Sequence, residues 1–107
     1  MEKVAIVTGS SSGIGYETTL ALARDGFYTF ATVRSAKKAQ KILEVTKKEK
    51  LNIEIIELDI DDEKSIKLAF EKIFSKKQRI DVLVNNAGWA LFGSLEDVPI
   101  KDFRLQF

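Results

Sequence analysis

The junction Val4-Ala5-Ile6-Val7 followed by Thr8-Gly9-Ser10-Ser11-Ser12-Gly13-Ile14-Gly15 decides the fold. Four consecutive apolar residues, three of them β-branched, predict a buried strand over Lys3–Thr8. Ile14 to Asp25 is rich in Ala and Leu and predicts a helix, with Gly26 suited to the left-handed position that ends one. Between strand and helix stand three glycines and three serines. Such a turn lets something approach the backbone where larger side chains would be in the way.

The same rhythm repeats along the chain. Phe27–Val33 reads as a second strand, and Ser35 is placed to cap a helix reaching Glu49 with Ala36, Ala39, Ile42, Leu43 and Val45 on its apolar side. Asn52–Leu58 nearly alternates, as a third strand does. Asp61 or Asp62 caps a helix in which Ile66, Ala69, Phe70 and Ile73 recur at helical spacing, and Ile80–Val84 is a fourth strand. Leu95-Glu96-Asp97-Val98-Pro99 then opens what reads as one more helix, with Phe107 inside it. Strands alternating with helices require crossover connections, hence an α/β fold: a Rossmann-like parallel sheet with helices on both faces. Right-handed crossovers give the strand order 3-2-1-4. Six lysines between Ser35 and Lys50 read as a solvated outer face, or more weakly as an anion-attracting one.

Composition limits the function classes. The 107 residues suffice for a single domain, and 45% apolar with 31% charged residues is a globular composition. Lys and Arg number 17 against 16 acids, so nothing in the overall charge argues for nucleic acid or an anionic membrane, and neither is expected as a partner. With no Cys and no His, disulfides and thiolate chemistry are excluded and a metal site such as zinc is not expected. Val4–Val7 is too short for the core of a signal peptide and no later run approaches a membrane span, so the expected location is cytoplasmic.

In a doubly wound sheet ligands bind beyond the carboxyl ends of the strands, where the strand order reverses, here between strands 1 and 4. The glycine turn lies at that point and ends at a helix N-terminus, whose free N–H groups and positive dipole end suit a phosphate. Gly9 allows the tight turn, Gly13 leaves room for a pyrophosphate, Gly15 lets the helix pack closely, and Ser10, Ser11 and Ser12 offer small hydroxyl donors. A generic βα turn with glycines for geometry alone is the plainer alternative, since the spacing departs from G-x-G-x-x-G. At the end of strand 2, where an acid would hold the ribose hydroxyls of NAD, the sequence is Ala31-Thr32-Val33-Arg34-Ser35. Arg34 suits a 2′-phosphate that an aspartate would repel, so NADP(H) is expected over NAD(H); a solvated arginine closing a strand is the alternative.

Val82-Leu83-Val84-Asn85-Asn86-Ala87-Gly88 completes the pattern. Alone, NNAG could be a polar turn. Together with TGSSSGIG some seventy residues earlier, and an aspartate after strand 3, the chain resembles the short-chain dehydrogenase/reductase family over essentially its whole length. The resemblance implies that Gly9, Ser12, Gly13, Ile14 and Gly15 surround the cofactor pyrophosphate and adenosine ribose, Ile14 through its backbone N–H. It implies that Arg34 selects NADP, that Asp59 reaches the adenine amino group with Ile60 beside the ring, and that Asn85 lies by the adenosine ribose. Asp59 could instead be a turn acid ahead of the next helix. Ala87 and Gly88 would follow the cofactor toward the nicotinamide, while Thr8 and Asn86 tie strands 1 and 4 together. Trp89 and Phe92 would begin the wall of a pocket for a small apolar alcohol or carbonyl substrate, or serve as packing residues.

The family's reaction centre, a tyrosine with a lysine four residues on and a preceding serine, has no counterpart here. Tyr16 is followed at that distance by Leu20, and Tyr28 by Thr32. The expectation is therefore a single truncated NADP-binding Rossmann domain over residues 1–107, with no catalytic residue and the second half of the domain absent. It would be the N-terminal part of an oxidoreductase moving hydride between NADP(H) and an alcohol or carbonyl. A stand-alone nucleotide-binding or assembly module is the alternative, and a flavin- or mononucleotide-binding α/β protein a third. Without a neighbour, the edge of strand 4 would be open, and a homo-oligomer formed through that edge, or aggregation, is expected.

Overall fold

The computed structural model describes residues 2–10, 13–59, 61–84 and 105–106. In chain order these form β1 (Val4–Val7), α1 (Gly13–Arg24), β2 (Tyr28–Val33), a 3-10 turn (Ala36–Ala39), α2 (Gln40–Glu49), β3 (Ile53–Glu57), α3 (Glu63–Lys77), β4 (Val82–Val84) and β5 (Leu105–Gln106). Every strand pair is parallel and the order is β3-β2-β1-β4-β5. The predicted order 3-2-1-4 is thus the observed one.

Burial explains why β1 is apolar at every position. It lies at the centre of the described sheet and is covered on both faces, so Val4, Ala5, Ile6 and Val7 all fall at 1% exposure or less. One face carries Val4, Ile6, Phe30, Ile56 and Leu83 against Ile66, Ala69, Phe70 and Ile73 of α3. These four α3 residues repeat at the spacing of one helix face, which is why a single stripe of α3 is buried. The other face packs Ala31, Val33, Ala39 and Ile42 with Tyr16, Ile53 and Ile55. Each fully buried Ile or Phe in these layers contributes about 1.5–3 kcal/mol of hydrophobic stabilisation.

Helix ends follow local chemistry. α1 stops where Gly26 adopts φ +95°, and the N–H of Phe27 reaches back to the Leu22 carbonyl at 3.1 Å, closing the last turn. Asp62 caps α3, its side chain accepting from the Lys64 N–H at 3.0 Å. Ser35 does not cap: its backbone is extended as an N-cap should be, but its side chain makes no capping bond, and the chain enters α2 through a 3-10 turn. All six lysines between Ser35 and Lys50 are exposed, as a solvated face requires.

Two expectations about the end of the chain are corrected. Leu105–Gln106 is a strand, not part of a helix continuing to Phe107. It pairs with β4, Leu83 opposite Leu105 and Val84 opposite Gln106, so the β4 edge is covered and does not stand open for a second copy. The backbone groups of a short central strand seek partners, and a strand-forming segment of the same chain supplies them. The start of the expected last helix, 95–104, lies outside the described residues.

Candidate functional site

The site is built from the carboxyl ends of three adjacent strands. At the end of β1 the Thr8 N–H donates to the Val84 carbonyl at 3.0 Å, and the Thr8 hydroxyl points to the same oxygen at 3.4 Å. Thr8 therefore ties β1 to β4, the role its position implied. Gly9 follows at φ +64°, a conformation that L side chains adopt only with strain.

Ser10 differs from expectation. It is fully buried, its N–H donates to the Thr32 carbonyl at 2.9 Å, and its hydroxyl donates to the Val7 carbonyl at 2.7 Å. The hydroxyl is spent on fastening the turn to β1 and β2, so it is no donor to a ligand. Sequence offered no means of telling an inward serine from an outward one in a run of three.

α1 then begins at Gly13, with φ +59°. A Cβ there would meet nothing within 4 Å, so the backbone dihedral rather than crowding demands glycine among the described residues. The first turn of α1 carries no acid to oppose an incoming anion. The N–H groups of such a turn have no partner within the helix. Ile14 stands 76% exposed at this terminus, an apolar side chain left in the open beside the strand ends. Gly15 is buried, and its carbonyl accepts from the Thr19 hydroxyl at 2.8 Å.

Arg34 emerges at the end of β2, beside Asp59 at the end of β3. The guanidinium lies 3.3 Å from an Asp61 carboxylate oxygen and 3.9 Å from one of Asp59. Asp59 is also a turn residue: its carboxylate accepts the Asp61 N–H at 3.0 Å, its carbonyl accepts the Asp62 N–H at 3.0 Å, and its own N–H donates to the Ser65 hydroxyl at 2.9 Å. The turn alternative and the ligand alternative for Asp59 are therefore compatible in one residue. The structure thus gathers Gly9, Gly13, Ile14, Gly15, Arg34 and Asp59 at the carboxyl ends of the strands. Ser12, Ile60, Asn85, Ala87 and Gly88 lie outside the described residues, as do Ser11, Asn86, Trp89 and Phe92.

A glycine turn feeding a helix from the central strand of a parallel sheet is the geometry the motifs predicted, and the ion pairs of Arg34 with Asp59 and Asp61 at the ends of the next two strands are an addition to it. The family described as short chain dehydrogenase matches residues 3–106. This chain belongs to the short-chain dehydrogenase family. It is 45% identical, over 99% of its length, to the uncharacterized oxidoreductase YusZ of Bacillus subtilis, and spans 38% of that relative. This short-chain dehydrogenase chain also superposes on a metagenomic short-chain oxidoreductase in complex with NADP, with a TM-score of 0.76 and 30% identity, covering 81% of this chain and 39% of that one. An actinorhodin polyketide ketoreductase with NADPH gives a TM-score of 0.75 and 28% identity, with 82% and 34% covered. The short-chain dehydrogenase chain therefore spans less than two fifths of each of these three proteins.

One residue of the cluster escaped the sequence reading. Asp61 was legible only as a candidate helix cap, yet its carboxylate meets Arg34 while Asp62 does the capping. The signal was the spacing of acids in Leu58-Asp59-Ile60-Asp61-Asp62 opposite a lone arginine on the neighbouring strand. A groove of about 660 Å³ between Leu43 and Leu68 runs along the outer side of β3 and is lined by none of the expected site residues. Among the described residues no helix is long and apolar enough to cross a membrane.

Proposed function

We propose that these residues form the cofactor-binding part of an oxidoreductase that uses NADP(H) in preference to NAD(H). The observation that carries the reading is Arg34, exposed at the end of β2 in a stretch, 31–35, that contains no acid. The N–H groups of the first turn of α1, from Gly13 to Gly15, would hold the pyrophosphate, Arg34 the 2′-phosphate and Asp59 the adenine amino group. Ser12, Ile60, Asn85, Ala87 and Gly88 would complete the cradle. The positive φ of Gly13 and the acid-free start of α1 fit such an anion. That two solved relatives are named with NADP or NADPH supports the same cofactor.

The nicotinamide group, when bound, supplies or accepts a hydride. The residues of this chain bind and orient it, and the proposed whole reaction exchanges that hydride with a small apolar alcohol or carbonyl compound. No Tyr-x-x-x-Lys pair occurs among the 107 residues, so proton transfer to the substrate oxygen is assigned to none of them.

Calorimetric titration with NADPH and NADH tests the reading. NADPH should bind more tightly, and Arg34→Asp should weaken NADPH by about 10- to 100-fold, the worth of a charge-assisted contact, while changing NADH little. Equal affinities for the two cofactors would remove the argument from Arg34.

A further inference from the structure

Arg34 does not stand alone at the mouth of β2. Its guanidinium is ion-paired to Asp61 at 3.3 Å, with Asp59 at 3.9 Å. The two acids are held differently. Asp59 is fixed by hydrogen bonds from the Asp61 and Asp62 N–H groups and by its own N–H to Ser65. Among the described residues the Asp61 carboxylate has Arg34 as its one polar partner, and its side chain is 76% exposed.

We infer that Asp61 sets cofactor specificity by competing, through its ion pair with Arg34, with the 2′-phosphate for the same guanidinium. The inference rests on the reading of Arg34 given above. A 2′-phosphate carrying nearly two negative charges has to displace the Asp61 carboxylate from Arg34 and then remain near it. Both the lost ion pair and the residual repulsion fall on NADP(H) alone, because NAD(H) presents only a hydroxyl there. Asp61 therefore holds the NADP(H) preference below what Arg34 by itself would give. The pair is exposed on both sides, 67% for Arg34, so it is weak and readily exchanged. That is what a competitor, as opposed to a permanent lock, requires.

Asp61→Asn removes the charge and keeps the backbone N–H that bonds Asp59, so the turn is retained. The full-length protein, the Asp61→Asn and Arg34→Ala variants and the double variant are titrated with NADPH, NADH and adenosine 2′-monophosphate. Asp61→Asn should tighten NADPH and the 2′-monophosphate by about three- to tenfold and leave NADH within about twofold. The gain should shrink as salt is raised, since both charges are exposed, and fall by half or more when Arg34 is already Ala. Unchanged or weakened NADPH binding in Asp61→Asn overturns the inference, weakened binding because it would show Asp61 positioning Arg34. Equal tightening of NADPH and NADH overturns it as well. If Arg34→Ala leaves NADPH binding intact, the failure lies in the Arg34 reading itself, and the competition falls with it.

Discussion

Asp81, immediately before β4, clamps the start of that strand to the start of β1, and its removal should be among the most damaging changes outside the core. Its N–H donates to the Val4 carbonyl at 2.8 Å, while its carboxylate accepts the Val4 N–H at 2.7 Å and pairs with Arg79, the Arg79 Nε lying at 2.9 Å. Val4 is buried, so Asp81→Ala leaves its N–H without a partner, at about 1–3 kcal/mol, and also breaks a charge-assisted pair. The sum is about 3 kcal/mol. Asp81→Asn keeps an acceptor for Val4 and loses the charge, so about 1–1.5 kcal/mol is expected. Burial pushes the Asp81 carboxyl upward, but the Arg79 guanidinium and the Val4 N–H more than offset this and hold it below its ordinary value of 3.8. A folded value below the unfolded one means a contribution present above about pH 4 and lost as pH falls through the folded value. Urea unfolding followed by far-ultraviolet circular dichroism should show the gap between wild type and Asp81→Asn at pH 7 and its narrowing at about pH 3. A cost below about 0.5 kcal/mol for Asp81→Ala, within the range of ordinary surface substitutions, would refute the clamp, and a pH-independent gap would refute its ionic part.

Gly13→Ala and Gly26→Ala form a matched pair, since both glycines have positive φ and a Cβ at either would meet open space. Each should destabilise by about 1–2 kcal/mol in thermal or urea unfolding, but only Gly13→Ala should also weaken NADPH. Gln78 ends α3 at φ 55°, its N–H donating to the Phe74 carbonyl at 2.9 Å. Gln78→Gly should relieve that strain and stabilise the fold by up to about 1 kcal/mol, and a lower urea midpoint would contradict it.

The sheet was legible because its physics is local and periodic. Val4–Val7 could only be a strand buried on both faces, Gly26 marked the end of α1, and the α3 stripe at 66, 69, 70 and 73 announced its buried face. Strand order then followed from right-handed crossovers combined with the doubly wound arrangement. What escaped notice depends on where side chains turn in three dimensions. Ser10 faces inward because the Val7 carbonyl sits beneath the turn, and no pattern in Ser10-Ser11-Ser12 reveals that. The Asp81–Val4 clamp joins residues 77 positions apart, and the Arg34–Asp61 pair joins residues 27 apart, so neither leaves a mark in any short window. Ser35 shows the converse: a good capping residue in the right backbone conformation whose side chain makes no cap. Leu105–Gln106 was misread because the helix begun at Leu95 was extended through it, whereas the demand of the β4 edge is a property of the assembled sheet.

The separation of 77 positions between Val4 and Asp81 also bears on the order in which the strands leave the ribosome. At about 5–20 residues per second, β1 leaves roughly 4–15 seconds before β4 is made. In that interval β2 and then β3 can add to one side of β1 through short crossovers, while the other side of a wholly apolar strand has no neighbour. A chain folding in the order of its synthesis would hold this wholly apolar strand at the edge of a three-stranded sheet until β4 is made. Thr8 donates to the carbonyl of Val84, the last residue of β4, so this fastening of the glycine turn forms only once β4 is complete.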